Sequence, residues 1–244
     1  MRFPELPAPF DAALRGAAAW IVERYDPVGI VAAGSIVRGE PDASSDLDLY
    51  VLHRAPFRQR VQRGFGGVPA EIFVNNRASV ERFLEDERAE GTPITAHMLA
   101  TGFTVLDEDP MVEELRELGR AQLAAGPAYT EKTRVFRRYA AASALEDGAD
   151  RAARDPATAA MILGRAVTAM LEYAYVKENR WIPRAKDLLA GLDPALAADA
   201  RRFFEAARAD VDLARRIADR TIGVHGFFAW EGEREDLSPS DERG

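Results

Sequence analysis

Residues 34–52 read GSIVRGEPDASSDLDLYVL, and the rest of the chain is organised around them. The stretch follows an apolar run, Val28 to Ala33, and ends in a second one, Leu49 to Leu52. Both runs read as short buried strands. Gly34-Ser35 marks a turn into a short helix reaching about Gly39, and the polar segment 40–45 reads as a loop. Ten residues separate Ser35 from Asp46. Asp46 and Asp48 are i and i+2 at the start of an expected strand over 47–53, so both carboxylates leave one face of the sheet. Two close negative charges repel unless a cation lies between them. A hard divalent ion with oxygen ligands, Mg²⁺ above all, is the natural partner, because it is readily shared between carboxylates and phosphates. The Gly34-Ser35 turn could supply phosphate contacts through backbone N–H groups and the hydroxyl.

This order of features resembles the nucleotidyltransferase superfamily, which includes DNA polymerase β and the aminoglycoside nucleotidyltransferases. Its pattern is an apolar strand, Gly-Ser or Gly-Gly, about ten residues, Asp-apolar-Asp, and a third acid on a later strand. Gly34, Ser35, Asp46 and Asp48 match the first parts. Glu71, in the apolar run 68–74, matches the last. Arg38-Gly39 and Ser45-Asp46 agree with the form common in the small-molecule branch, which includes the kanamycin-type enzymes. The resemblance covers about residues 28–75. Taken singly, Asp-x-Asp is often a solvated strand end and Gly-Ser a common turn. The ordered combination with Glu71 distinguishes a metal site from those plainer readings.

Composition narrows the class. The chain has 244 residues, 47% hydrophobic and 30% charged, within the ordinary range for a globular protein. The N-terminus, MRFPELPAPF, lacks the basic start and long apolar core of a secretory signal. No apolar run approaches the roughly 20 residues that span a bilayer. Cysteine is absent, so disulfides and thiolate chemistry are excluded, and a cytoplasmic location is expected. Net charge is −8 with no basic patch, which argues against a nucleic-acid substrate, and no membrane partner is expected. It mildly suits a cationic small substrate.

Along the chain, helix 11–25 with Asp11 as its cap precedes the first strand. Residues 54–67 carry several arginines and Gly64-Phe-Gly-Gly67, and they read as a connecting loop, since their spacing matches no dinucleotide or P-loop pattern. Strand 68–74 follows, then helices 77–89 and 93–101, strand 103–106 and helix 111–124. Ala125 to Thr130 is the best boundary. Beyond it only the helical period is visible, with helices expected at 131–147, 155–178, 184–191, 195–208 and 209–222. The expected architecture is therefore an α+β N-terminal nucleotidyltransferase domain over 1–126, a mixed sheet flanked by helices. An all-α helical-bundle C-terminal domain over 127–231 and a disordered tail over 232–244 complete it.

Two residues of the helical half stand out. Glu146 shares a helix face with Val135, Tyr139 and Ala142. In the antibiotic-modifying relatives the general base comes from the helical domain, which makes Glu146 a candidate for taking the acceptor proton. The alternative is an arginine-paired acid at a fraying helix end. Lys186, in WIPRAK, is similar to a lysine that places charge on nucleotide phosphates in some members. It is one of three lysines in an arginine-rich chain, and the alternative is a solvated side chain. Arg220 to His225 has the Arg-x4-His form of ribonuclease-type helical domains, a match also expected by chance. His53 and His97 lack metal-ligand spacing.

The resemblance implies transfer of a nucleoside monophosphate, AMP from ATP in the first instance, to a hydroxyl of a small molecule such as an aminoglycoside-like antibiotic. Asp46, Asp48 and Glu71 would hold two magnesium ions. Gly34, Ser35, Ser45, Arg38 and Lys186 would contact the nucleotide, and a homodimer is possible. The alternatives are an antitoxin-type enzyme that adenylylates a protein side chain and a non-catalytic nucleotide-binding module.

Overall fold

A computed structural model describes residues 1–42, 45–206, 208 and 210–223. The chain divides into two compact units, Met1–Pro127 and Ala128–Gly244.

In the first unit, α1 (Ala8–Tyr25), β1 (Gly29–Ala33), the one-turn α2 (Gly34–Val37) and β2 (Leu47–Leu52) come first. They are followed by β3 (Gln59–Phe65), β4 (Val68–Asn75), α3 (Arg77–Glu90), α4 (Ile94–Thr101), β5 (Phe103–Asp107) and α5 (Pro110–Ala125). The five strands form one sheet in the order β3-β4-β2-β1-β5. β2 and β4 are parallel and the remaining pairs antiparallel, so the sheet is mixed.

Strand alternation sorts the side chains onto two covered faces. Leu47, Leu49, Val51, Ile72 and Val74 pack under α1 with Leu14, Ala17, Ala18 and Ile21. Tyr50, Leu52 and Val31 pack on the opposite face with Val80, Leu84, Leu99, Val112 and Leu115 from α3, α4 and α5. Asp48 has the parity of Tyr50 and Leu52, and Glu71 that of Phe73 and Asn75. Asp48 and Glu71 thus lie on the α3–α5 side of the sheet.

Residues 54–67, expected to be a loop, instead contain an edge strand. β3 pairs with β4 from Gln59↔Val74 to Phe65↔Val68. The link is Gly66-Gly67, with φ of 57° and 87°. A two-residue turn with both central residues left-handed matches the twist of a hairpin, and Gly-Gly adopts it without steric cost. β3 is exposed along most of its length. Its charged and polar side chains hide its strand character from a hydrophobicity pattern and also block further edge pairing.

In the second unit, α6 (Glu131–Arg151) and α7 (Pro156–Lys177) form an antiparallel pair, followed by α8 (Pro194–Glu205) and α9 (Val211–Arg220). The side chains of Thr130, Asp155, Asp193 and Asp210 cap the four helices on N–H groups of the first turn. The core joins Ala141, Leu145, Leu163, Val167, Met170, Phe203 and Ile217. α6 and α7 approach closely at Gly148, where a methyl group would lie 2.6 Å from the Leu163 side chain. The helix expected at 184–191 is only a 3-10 turn, Ala185–Asp187. Pro183 precedes it and Gly191 follows. The segment is held instead by buried Ile182 and Leu188 and by Tyr175 Oη donating to the Leu188 carbonyl at 2.8 Å.

Candidate active site

Gly34 has φ +85°, a left-handed conformation that side-chain-bearing residues rarely adopt. A Cβ at this position would collide with Asp48 Oδ2. Ala33 pairs with Asp48 across β1 and β2, so the turn is pressed directly against the second carboxylate. Only glycine allows both the turn and that approach. Ser35, one residue on, lies 2.9 Å from Ser45, Oγ to Oγ. Ser45 Oγ also accepts from the Asp42 N–H at 2.8 Å and donates to Asp42 Oδ1 at 3.2 Å. The two serines tie the start of α2 to the residue preceding Asp46.

Parallel pairing of β2 with β4 sets Asp48 beside Glu71. One carboxylate oxygen from each of Asp46, Asp48 and Glu71 lies within 4.8 Å of the others, and all three residues are half-buried. Three convergent carboxylates supply the hard oxygen donors that Mg²⁺ takes, and the glycine turn leaves room against them. The residues present fit a divalent cation.

Glu71 has partners that the hydrophobic pattern does not disclose. Arg60 Nε donates to Glu71 Oε1 at 2.7 Å, and Gln62 Nε2 donates to the same oxygen at 3.0 Å. Both donors stand on β3, within the segment expected to be a loop. The signal that points to them is the Gly66-Gly67 hairpin turn, which folds 59–65 back along β4.

Of the other predicted residues, Arg38 belongs to the first unit and Glu146 and Lys186 to the second. Arg38 caps the C-terminus of α2, with its side chain exposed. Lys186 is exposed in the 3-10 turn of the second unit. Glu146 is half-buried on α6. The helix continues to Arg151, so Glu146 is not at a fraying end, and no ion pair to it is present among the described residues. Arg220 reaches Asp199 at 3.4 Å, whereas His225 and the tail 232–244 lie outside the described residues.

Two further titratable groups line the same unit as the acids. Burial lowers the His53 imidazole, opposed by a backbone hydrogen bond at Phe57. Burial raises Glu87, although its carboxylate accepts from Thr95 N at 2.8 Å and so caps α4.

No protein-family profile matches the sequence, and no curated protein is significantly similar to it. Among solved structures, a nucleotidyltransferase-like protein from Exiguobacterium sibiricum superposes with a TM-score of 0.51 at 11% identity. The match covers 86% of this chain and 73% of that one. The chain therefore has a nucleotidyltransferase-like α+β fold with a helical C-terminal part. At this identity the likeness speaks for the fold, and the chemistry must be argued from the site.

Proposed function

We propose that this protein is a Mg²⁺-dependent nucleotidyltransferase that moves a nucleoside monophosphate, AMP from ATP in the first instance, onto a hydroxyl of a small molecule. The observation that carries the reading is the convergence of Asp46, Asp48 and Glu71 within 4.8 Å, against a glycine turn that only glycine can make. Asp46, Asp48 and Glu71 would hold the ion, which when bound neutralises phosphate charge and eases loss of the acceptor proton. Gly34 and Ser35 receive the phosphates, and Ser45 holds Ser35 in place. In the transfer, the acceptor oxygen bonds to the α-phosphorus and the α-phosphorus bond to the bridging oxygen of pyrophosphate breaks. The hydroxyl proton passes to a base and pyrophosphate departs. Glu146 enters as that base, and Arg38 and Lys186 as cations on the phosphates. Positioning and charge stabilisation supply most of the acceleration in such displacements.

Calorimetric titration of a non-hydrolysable ATP analogue, with and without Mg²⁺, tests the reading on wild type and Asp48→Asn. Binding that needs Mg²⁺ and is lost in the variant is the expected result. Binding indifferent to both would leave a nucleotide-binding module. Absence of binding for the analogues of all four ribonucleoside triphosphates would overturn the reading.

A further inference from the structure

The sheet face that carries Asp48 and Glu71 does not close immediately under the helices. Two residues along each strand, about 7 Å at roughly 3.3 Å per residue, Tyr50 and Phe73 begin the floor of a cavity of about 370 Å³. Tyr50 and Phe73 stack at 6.2 Å between ring centroids. Phe83 of α3 and Met98 of α4 form the facing wall, and Arg58 and Arg60 stand at its β3 side. The volume lies in the range of small-molecule sites, and so does the lining of aromatic walls with a few polar groups.

Three features point to what it takes. First, Tyr50 is 2% exposed, and its hydroxyl has no hydrogen-bond partner among the described residues. Thr95 is its polar neighbour but stands outside hydrogen-bond geometry. A buried hydroxyl without a partner is unfavourable, and Tyr50 borders the cavity, so a polar group of a ligand there can complete it. Second, the charges are unequal. Glu87, the cavity's carboxylate, is committed to the N–H groups of Thr95 and Ala96. Arg60 is committed to Glu71. Arg58 lies over the Phe83 ring at 5.2 Å and makes no ion pair among the described residues. The unspent charge is positive. Third, the register orders these groups along one line. Gln62 lies opposite Glu71 and Arg60 opposite Phe73, and continuing the strand puts Arg58 farther still from the acids. About 13 Å of strand, at roughly 3.3 Å per residue, separates the Glu71 row from the Arg58 row.

We infer that this cavity is the acceptor site, and that the acceptor is a small hydroxylated aromatic acid. Its carboxylate pairs with Arg58, its ring lies between Phe73 and Phe83, and its hydroxyl points along the sheet toward Glu71. A polycationic aminosugar would meet Arg58 and Arg60 instead of a counter-charge. The inference rests on the nucleotidyl-transfer reading for its word acceptor, but the binding it requires does not.

Saturation-transfer difference NMR on the full chain, without nucleotide or metal, tests it with 4-hydroxybenzoate, 4-hydroxyphenylacetate and 3-(4-hydroxyphenyl)propionate, and with kanamycin as the polycation. At least one of the three acids should bind, with saturation strongest on its ring protons, and kanamycin should not displace it. Arg58 is exposed, so Arg58→Met should fold normally, and it should weaken binding at least tenfold. Tyr50→Phe should weaken it several-fold without lowering stability. Failure of all three acids to bind, or binding indifferent to Arg58→Met, overturns the proposal. Adding ATP and Mg²⁺ separates the two readings. Binding without a nucleotidylated product by mass spectrometry sinks the transfer reaction alone, whereas transfer to a different molecule without binding here sinks the acceptor assignment alone.

Discussion

Arg60 donates to Glu71 Oε1 across the β3–β4 pair, so an arginine on the edge strand holds the third carboxylate of the cluster. The same guanidinium lies 5.1 Å from the Phe73 ring centroid. A metal ion that takes Glu71 as a ligand competes with this pair. Because the Arg60 side chain is 66% exposed, the pair is screened by solvent and worth no more than about 1 kcal/mol. Arg60→Met should therefore tighten Mn²⁺ binding by up to about fivefold, read by the free Mn²⁺ signal in electron paramagnetic resonance. Weaker binding in the variant would mean that Arg60 orients Glu71 for the metal and does not compete with it.

Gly34→Ala should damage the site through geometry alone. The left-handed backbone costs a side-chain-bearing residue about 1–2 kcal/mol, and the added methyl group meets Asp48 Oδ2. The expected outcome is a fall of that size in stability by urea denaturation, with Mn²⁺ affinity reduced at least tenfold. A variant that binds Mn²⁺ normally would show that Asp48 can move aside without cost.

Tyr50→Phe should leave the protein as stable as the wild type or more so, by up to about 1–2 kcal/mol. The hydroxyl it removes is buried and unpartnered, and the ring it keeps packs in the α3–α5 core. Thermal or urea unfolding measures this directly. A loss of more than about 1 kcal/mol would reveal a hydrogen bond made in solution.

His53 gives the first unit a pH dependence of known sign. The folded protein holds this imidazole below its ordinary value of 6.5 because it is buried, while the unfolded chain titrates near that value. Between the two values the unfolded state binds more protons, so the stabilising contribution is complete above about pH 6.5 and declines as pH falls toward the lower, folded value. Urea midpoints between pH 8 and pH 5 should fall in wild type, and the slope just below pH 6.5 should flatten in His53→Gln. Equal slopes would place the acid sensitivity in other groups.

Part of this arrangement is legible in the amino-acid sequence alone. Strand periodicity places Asp46 and Asp48 on one side of a strand because successive side chains alternate, a property of the local backbone. The glycine turn, the polar loop and the start of α7 at Asp155 are also local, written in Gly34, in Pro41 and in the Asp155-Pro156 pair, whereas α1 begins at Ala8 behind Pro7, so Asp11 lies within its first turn and does not cap it. At 184–191 two local signals compete. The apolar spacing suits a helix, but the residues around Pro183 and Gly191 and the buried anchors Ile182 and Leu188 favour a single turn. β3 escapes a hydrophobicity pattern because an exposed edge strand carries no apolar alternation to read.

By itself, then, the sequence determined the order of strand, turn, acid pair and third acid, and the change to a purely helical second half. These depend on dihedral preferences and on burial within a few residues. Tertiary structure alone decided which residues meet. Parallel pairing in one register sets Asp48 beside Glu71, the neighbouring hairpin delivers Arg60 and Gln62 to Glu71, and β2, β3, β4, α3 and α4 each contribute a wall to the cavity beyond. Such contacts join residues distant in the chain. Their geometry is set by sheet register and helix packing, and a shift of a single residue in the β2–β4 register would turn Glu71 to the opposite face.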